Sequence, residues 1–333
     1  MLKRIFFSLF LGMVLTLPSL DAMAKTKQIY MVVWRGCEDA CRGFKEYFSE
    51  RGLDVEITVR DANRDKDVLA DFVTEAMEIK PDLVVTWGTS TSRGMIGPYD
   101  TETPEKFLSG IPSLFMIVAD PVGAKLIREY SSSGREFVTG THNRVPEDVQ
   151  IRAIQTYLKA DRIGLAYNND ELNSVLNAQK LQKLADELGF ELVAKAVSVD
   201  ENGQPDKQSL VTMVDEFKKE KVDIIYVGSS SFITSNRDIF TQEALDARIP
   251  VAAGSEIFVR NSHALLAVAN RYYNIGQLAG LQAEQVIFKG KKPIDVEVRS
   301  LSRYSFIINM DTARKLEKFP PIQLLRFADL VNK

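Results

Sequence analysis

The sequence predicts an α/β protein of two similar Rossmann-like lobes, each built on a parallel sheet. Short β-branched apolar runs alternate with amphipathic stretches, the pattern of parallel strands covered on both faces by helices. The alternation occurs twice in the same order. The chain has 333 residues, more than one hydrophobic core comfortably holds, so two domains are expected.

The elements follow in order. Lys3 and Arg4 precede an uncharged run from Ile5 to Leu20, which Ala22-Met23-Ala24 ends. A basic start, a short apolar centre and an A-x-A end make residues 1–24 a signal peptide, cleaved near Ala24, with the mature protein in the periplasm. The apolar centre is short for a spanning helix, and no later stretch is long and apolar enough. Strands are expected at 29–34, 54–59, 82–87, 113–118, 136–141, 162–167, 191–197, 223–228, 249–254, 264–269 and 305–310. Helical spacing of apolar residues marks Glu38–Arg51, Arg64–Ile79, Asn173–Leu188 and Asp206–Lys219. Val175, Leu176, Leu181, Leu184 and Leu188 form one such stripe, and Gly189 is placed to end it.

The repetition is direct. Residues 70–94 (ADFVTEAMEIKPDLVVTWGTSTSRG) parallel 211–235 (VTMVDEFKKEKVDIIYVGSSSFITS). Gly52 to Asp82 spans 30 residues and Gly189 to Asp223 spans 34. From there to the next Ile-Pro the separations are 29 and 26, so the chain is a two-fold duplication with too long a period for a solenoid.

In such sheets ligands sit outside the carboxyl ends of the strands. Those positions here include Trp34-Arg35, Gly88-Thr89-Ser90, Ala119-Asp120-Pro121, Tyr167-Asn168, Gly228-Ser229-Ser230-Ser231 and Gly254-Ser255-Glu256. Ser and Thr cap helices everywhere, but their recurrence at equivalent positions of both lobes points to a cleft that receives a carboxylate or another small anion. Trp34, Trp87, Tyr99 and Tyr167 are candidate stacking groups. Trp34 and Tyr167 lie at equivalent strand ends and are assigned to the cleft.

The order of motifs resembles the ABC transporter substrate-binding proteins of the tryptophan/tyrosine-binding type, a branch of the type I periplasmic binding proteins. The resemblance is carried by GTSTSRG, IPSLFMIVADPVGAKLI, the 137–174 segment ending in YNNDELNS, VDIIYVGSSSFITS, ARIPVAAGSEIFV, RYYNIGQLAGLQAEQVIFKGKKPIDVEV and FIINMDTARKL. It covers about residues 28 to 325. It implies two lobes joined by a three-segment hinge, divided as 25–143 plus 270–302 and 144–269 plus 303–333. It also implies a ligand held between the lobes by hinge closure and a monomer that delivers it to an ABC permease in the inner membrane. Carried across, the loop that receives a ligand carboxylate falls on Gly88, Thr89 and Ser90. The Asp-Pro-Val element falls on Asp120, Pro121 and Val122, and the Asn-Ser pair on Asn173 and Ser174.

The departures concern acids. Ser229, Ser230 and Ser231 stand where the family commonly has Thr-Asp-Asn. Gly254-Ser255-Glu256-Ile257 replaces an aspartate-bearing loop, and Arg271 replaces an acid before the Tyr pair. A buried ammonium needs a paired charge. Losing these acids weakens the case for an α-amino acid: either Glu256, Asp120 or Glu171 supplies the charge, or the ligand lacks an amine and Arg35, Arg271 and the hydroxyls mark a more anionic molecule. The expected ligand is thus a small polar or carboxylate-bearing molecule, an aromatic amino acid or a related compound among the candidates. A soluble sensing subunit that feeds a membrane sensor kinase is the alternative on the same fold.

The composition narrows the rest. The net charge of −3 gives no basic field for nucleic acid. No nucleotide-binding, lipase or zinc-protease motif occurs, so no enzyme and no cofactor are expected. Both histidines, His142 and His263, fall near expected crossovers. With Cys37 and Cys41 they would suit zinc by type, but the spacing matches no usual site, so no metal is expected. The spacing C-x-x-x-C is not that of a redox enzyme, and an exported Cys37–Cys41 pair is expected to be a disulfide that stiffens a cleft loop.

Overall fold

The computed structural model describes residues 25–332, so the signal-peptide segment lies outside the described residues. The first sheet is built from β1 (Lys27–Val33), β2 (Val55–Asp61), β3 (Leu83–Trp87), β4 (Ser113–Val118) and β5 (Val138–His142), in the order β2-β1-β3-β4-β5 and all parallel. The second sheet contains β6 (Arg162–Tyr167), β7 (Glu191–Ala196), β8 (Ile224–Val227), β9 (Val251–Ala253), β10 (Leu266–Ala269), β11 (Ser305–Asn309) and β12 (Ala328–Val331). Its order, β7-β6-β8-β9-β10-β11-β12, repeats the first sheet's and then extends it by two strands. The duplication read in the sequence is therefore a duplication of topology.

The central strands read as continuous apolar runs because helices cover both faces. β3 and β4 are buried at every position. Two features differ from expectation. β11 runs antiparallel to β10. β10 leads out at the end of the sheet facing the first lobe, and the chain returns through 297–304 at that same end, so β11 must run back. β12 was not anticipated; it is a short, half-exposed edge strand without an apolar run. The helix expected from Arg64 begins at Leu69, because Asn63 and Arg64 adopt left-handed backbone and Asp65 accepts from the Asp67 amide.

The chain passes between the lobes after β5, after β10 and before β11. Asn270, fully buried, ties the three passages: its Nδ2 donates to the Asn143 carbonyl at 3.2 Å and to Ser300 Oγ at 3.2 Å. Between the second and third passages the helix Tyr272–Ile287 packs back on the first lobe, with Ile275, Ala279 and Ala283 in the same core as β1 and β3. It crosses the helix Asp39–Glu50 so closely that a Cβ on Gly276 would stand 2.0 Å from the Ala40 carbonyl oxygen, which reserves that position for glycine. Among the described residues no helix is long and apolar enough to cross a membrane.

Candidate functional site

The carboxyl ends of the parallel strands in both sheets face one another across a cavity of about 60 Å³. That is room for a handful of water positions. Trp34, Arg35, Trp87, Thr89, Ser90 and Asp120 line it from the first lobe. Asn173, Ser229, Ser230, Tyr226 and the helix side chains Glu147, Gln150 and Asn177 line it from the second. Asn143, Arg144 and Tyr272 close it on the hinge side. An open groove lined by Trp34, Lys66, Asn168, Asp170, Glu171 and Ser231 adjoins it, with Trp34 and Ser231 common to both.

Arg35 is held by Glu38, which accepts from Nε at 2.7 Å and from Nη2 at 3.1 Å. Burial works against its charge, and the Glu38 carboxylate outweighs burial, so the guanidinium is held above its ordinary range. Its Cζ lies 4.9 Å over the Trp87 ring. Tyr272 meets the same ring edge-on, with centroids 6.5 Å apart at 70°. Trp87 is only 2 % exposed, and its Nε1 has no hydrogen-bond partner among the described residues.

Arg144 bridges the lobes. Its Nη1 donates to Asp120 Oδ2 at 2.6 Å, and its Nε donates to Glu147 Oε1 at 2.8 Å. Burial lowers its proton affinity, and Glu147 and Asp120 together raise it further. Asn177 Nδ2 donates to the same Glu147 oxygen at 2.9 Å. Gly228 permits this arrangement, since a Cβ there would fall 1.9 Å from Asn177 Oδ1. Every acid lining the cavity is thus engaged by arginine, and the cavity carries charges of both signs.

Of the residues expected at the site, Trp34, Arg35, Thr89, Ser90, Asp120, Asn173, Ser229 and Ser230 lie together on the cavity. Four do not. Tyr167 is still within β6, paired with Ala196, and its partly buried side chain packs against the second lobe's core. Asn168 lines the outer groove, where its Nδ2 donates to Glu171. Ser174 Oγ is spent on the Asn168 amide at 2.9 Å. Glu256 accepts from Arg260 Nε at 2.7 Å and from the Tyr272 amide at 3.1 Å, so it anchors the hinge-side helix rather than facing the cavity. Arg271 lies half-exposed beside that carboxylate, outside the cavity.

Glu171 is also committed. It is 5 % exposed, and its carboxylate accepts from Phe232 N at 2.7 Å, Ser230 Oγ at 3.1 Å, Asn168 Nδ2 at 3.1 Å and the Ser231 amide.

Glu147, Gln150, Asn177, Tyr226, Asn143, Arg144 and Tyr272 escaped sequence reasoning. Asn173 and Asn177 carried a usable signal, since they continue the stripe of Leu181 and Leu184 toward the helix start with polar residues. A polar end on an otherwise apolar face is a site signal that an apolar count passes over.

Cys37 and Cys41 are bonded to each other, with Cα atoms 5.1 Å apart, at the entry to the helix Asp39–Glu50. His142 ends β5 with its ring 4.8 Å from that of Tyr130. Burial first, then Arg144, pushes its pKa down to about 4, against the pull of Asp120. Among the described residues no group of three or more His, Cys, Asp or Glu is arranged to hold a metal.

The chain is similar to the tyrosine-binding protein of Clostridioides difficile (strain R20291), 28% identical over 301 residues, 90% of this chain and 78% of that one. Its fold matches a domain from Streptococcus pneumonia solved in complex with L-Trp, at TM-score 0.80 and 22% identity over 92% of this chain and 99% of that one. A conserved domain protein from Vibrio cholerae matches to the same extent, with TM-score 0.80, 22% identity and the same coverage of 92% and 99%. The family described as ABC transporter substrate binding protein matches residues 30–331, so this chain belongs to the substrate-binding proteins of ABC transporters and has their two-lobed type I periplasmic binding protein fold.

Proposed function

We propose that the protein is the periplasmic receptor of an ABC uptake system and that it captures a small carboxylate-bearing molecule, an aromatic amino acid or a related compound, between its lobes. The observation that carries this reading is the convergence of both lobes on one cavity whose first-lobe wall presents Arg35, Thr89 and Ser90 together. A carboxylate there meets a guanidinium and hydroxyls, a pairing stronger than neutral hydrogen bonds. The similarity to a tyrosine-binding protein favours an aromatic amino acid. A cavity of about 60 Å³ is small for one, so the lobes separate to admit it. The moving bodies are 25–143 with 270–302 and the remainder of the mature chain. The closed form is what the permease reads.

The test is a thermal-shift screen of the mature protein against L-tyrosine, L-tryptophan, aromatic acids, purines and small anions, followed by calorimetry. A ligand at a hundred times its Kd raises stability by about 2.7 kcal/mol. Thr89→Ala combined with Ser90→Ala is expected to weaken binding about tenfold or more while the unliganded melting temperature stays put. Unchanged affinity in the double variant would remove this wall from the site.

A further inference from the structure

The two tryptophans of the chain, Trp34 and Trp87, both line the cavity, but they do not offer it the same thing. The guanidinium of Arg35 lies over the Trp87 ring at 4.9 Å, and Glu38 holds Arg35 in place from its other side by two hydrogen bonds. Tyr272 takes a further contact with that ring, edge to face. One ring face is therefore occupied by the protein itself. The group that remains is the indole N–H, buried and without a partner among the described residues. Leaving such a donor unsatisfied costs roughly 1–3 kcal/mol, so a native protein keeps one for a reason.

Asn143, which lines the cavity from the hinge side, carries a second unpartnered atom. Asn143 Oδ1 is buried without a donor, while its Nδ2 donates to Tyr272 Oη at 3.1 Å. The Tyr272 ring thus touches both Trp87 and Asn143. The spare donor, the Trp87 N–H, belongs to the wall that carries Thr89, Ser90 and Arg35, and Asn143 Oδ1 is a spare acceptor on the hinge side; the other unpartnered acceptor of a lining residue, Glu147 Oε2, has Lys180 Nζ 3.4 Å away.

We propose that Trp87 reads the ligand by its indole N–H and not by stacking, donating to a carboxylate oxygen, while Asn143 Oδ1 accepts from an N–H or O–H of the same molecule. This rests on the receptor reading above and narrows its ligand to compounds that carry an acceptor and a donor side by side, as an α-amino acid or an α-hydroxy acid does. A ligand that is only aromatic satisfies neither atom. A ligand that is only an amine leaves the indole unpaired.

Because the chain has two tryptophans, the indole N–H region of a nitrogen–proton correlation spectrum contains two signals, which Trp34→Phe and Trp87→Phe assign. The probes are two matched ladders: L-tyrosine, 3-(4-hydroxyphenyl)propionate and tyramine, and L-alanine, propionate and ethylamine. For each ladder the melting temperature of the wild-type protein is followed alongside the spectrum. The carboxylate-bearing probes that raise the melting temperature are expected to move the Trp87 N–H downfield, the amino acid binding more tightly than its deaminated form. Tyramine and ethylamine leave that signal in place. Trp87→Phe keeps an aromatic ring and is expected to lose about tenfold in affinity for the bound amino acid. A probe that raises the melting temperature and leaves the wild-type Trp87 signal unmoved, with W87F within twofold, overturns the inference and spares the receptor reading. Failure of every probe to raise the melting temperature overturns both. The wild-type spectrum decides the matter even if W87F folds poorly.

Discussion

Glu38 and Glu171 occupy the same place in the two lobes. Each follows the aromatic residue at its strand end by four positions, Trp34 and Tyr167, and each stands at the N-cap position of the helix that comes next without a side-chain capping bond. Their carboxylates end differently. Glu38 turns to Arg35 and holds a guanidinium at the cavity wall. Glu171 reaches across to the neighbouring loop and accepts from the Ser231 and Phe232 amides, the first two of the helix Ser231–Ser235. In the first lobe the corresponding amides, after the cap residue Gly88, belong to Thr89 and Ser90, which line the cavity. The duplicated scaffold thus spends one amide pair on its own carboxylate. On the receptor reading proposed above, the other pair is left for a ligand beside Arg35.

The contrast is sharpest if the two acids are removed in turn. Glu171→Ala strands two backbone amides and two hydroxyl or amide donors in a buried place, and a loss of about 3 kcal/mol in unfolding free energy is expected in urea titration. Glu38→Ala is expected to cost about 1 kcal/mol or so, because Arg35 can turn to the cavity, and to tighten carboxylate binding in the same preparation. Equal losses from the two variants would end the asymmetry drawn here.

Reduction of Cys37–Cys41 probes only the first lobe, since both cysteines of the chain lie there. Chain entropy assigns so short a loop about 2 kcal/mol. The expected result is a lower melting temperature with reductant, and a larger entropic penalty on ligand binding because the Trp34–Arg35 loop is less held. An unchanged melting temperature would show that the helix entry is fixed by other contacts.

The smallest effect concerns a direct tie between the two loops that follow β2 and β6 at the cleft mouth. Lys66 Nζ donates to Asp170 Oδ1 at 2.8 Å and to the Asp170 carbonyl at 3.0 Å, with both side chains about half exposed. Lys66→Ala is expected to change stability by a few tenths of a kcal/mol, an effect that disappears at high salt. A salt-insensitive loss would mean that the pair does more than hold the mouth.

Much of this was legible in the residues. Strand positions, the duplicated order and the strand-end loops follow from apolar runs and turn chemistry, which act locally. Where the chain failed as a guide, the deciding contacts were distant. Tyr167 looked equivalent to Trp34, but β6 extends one residue further than β1 does, which keeps the tyrosine in the strand and packs it against the core. Glu256 looked like a free acid until Arg260, one helical turn on, was seen to hold it. Arg144 and Glu147 were invisible because their meaning depends on Asp120 in the other lobe. A charge reads as a site residue in sequence, and as a neutralised partner only in three dimensions.

Asn270 has a mechanical consequence. Three separate passages between rigid bodies would allow each to bend, slide and twist on its own. One amide that grips the first passage at Asn143 and the third at Ser300 from within the second makes the three move as one axis. If the lobes close on a ligand as proposed above, they are left a single swing instead of a wobble, and a binding event anywhere along the cleft becomes the same motion for a membrane partner to recognise.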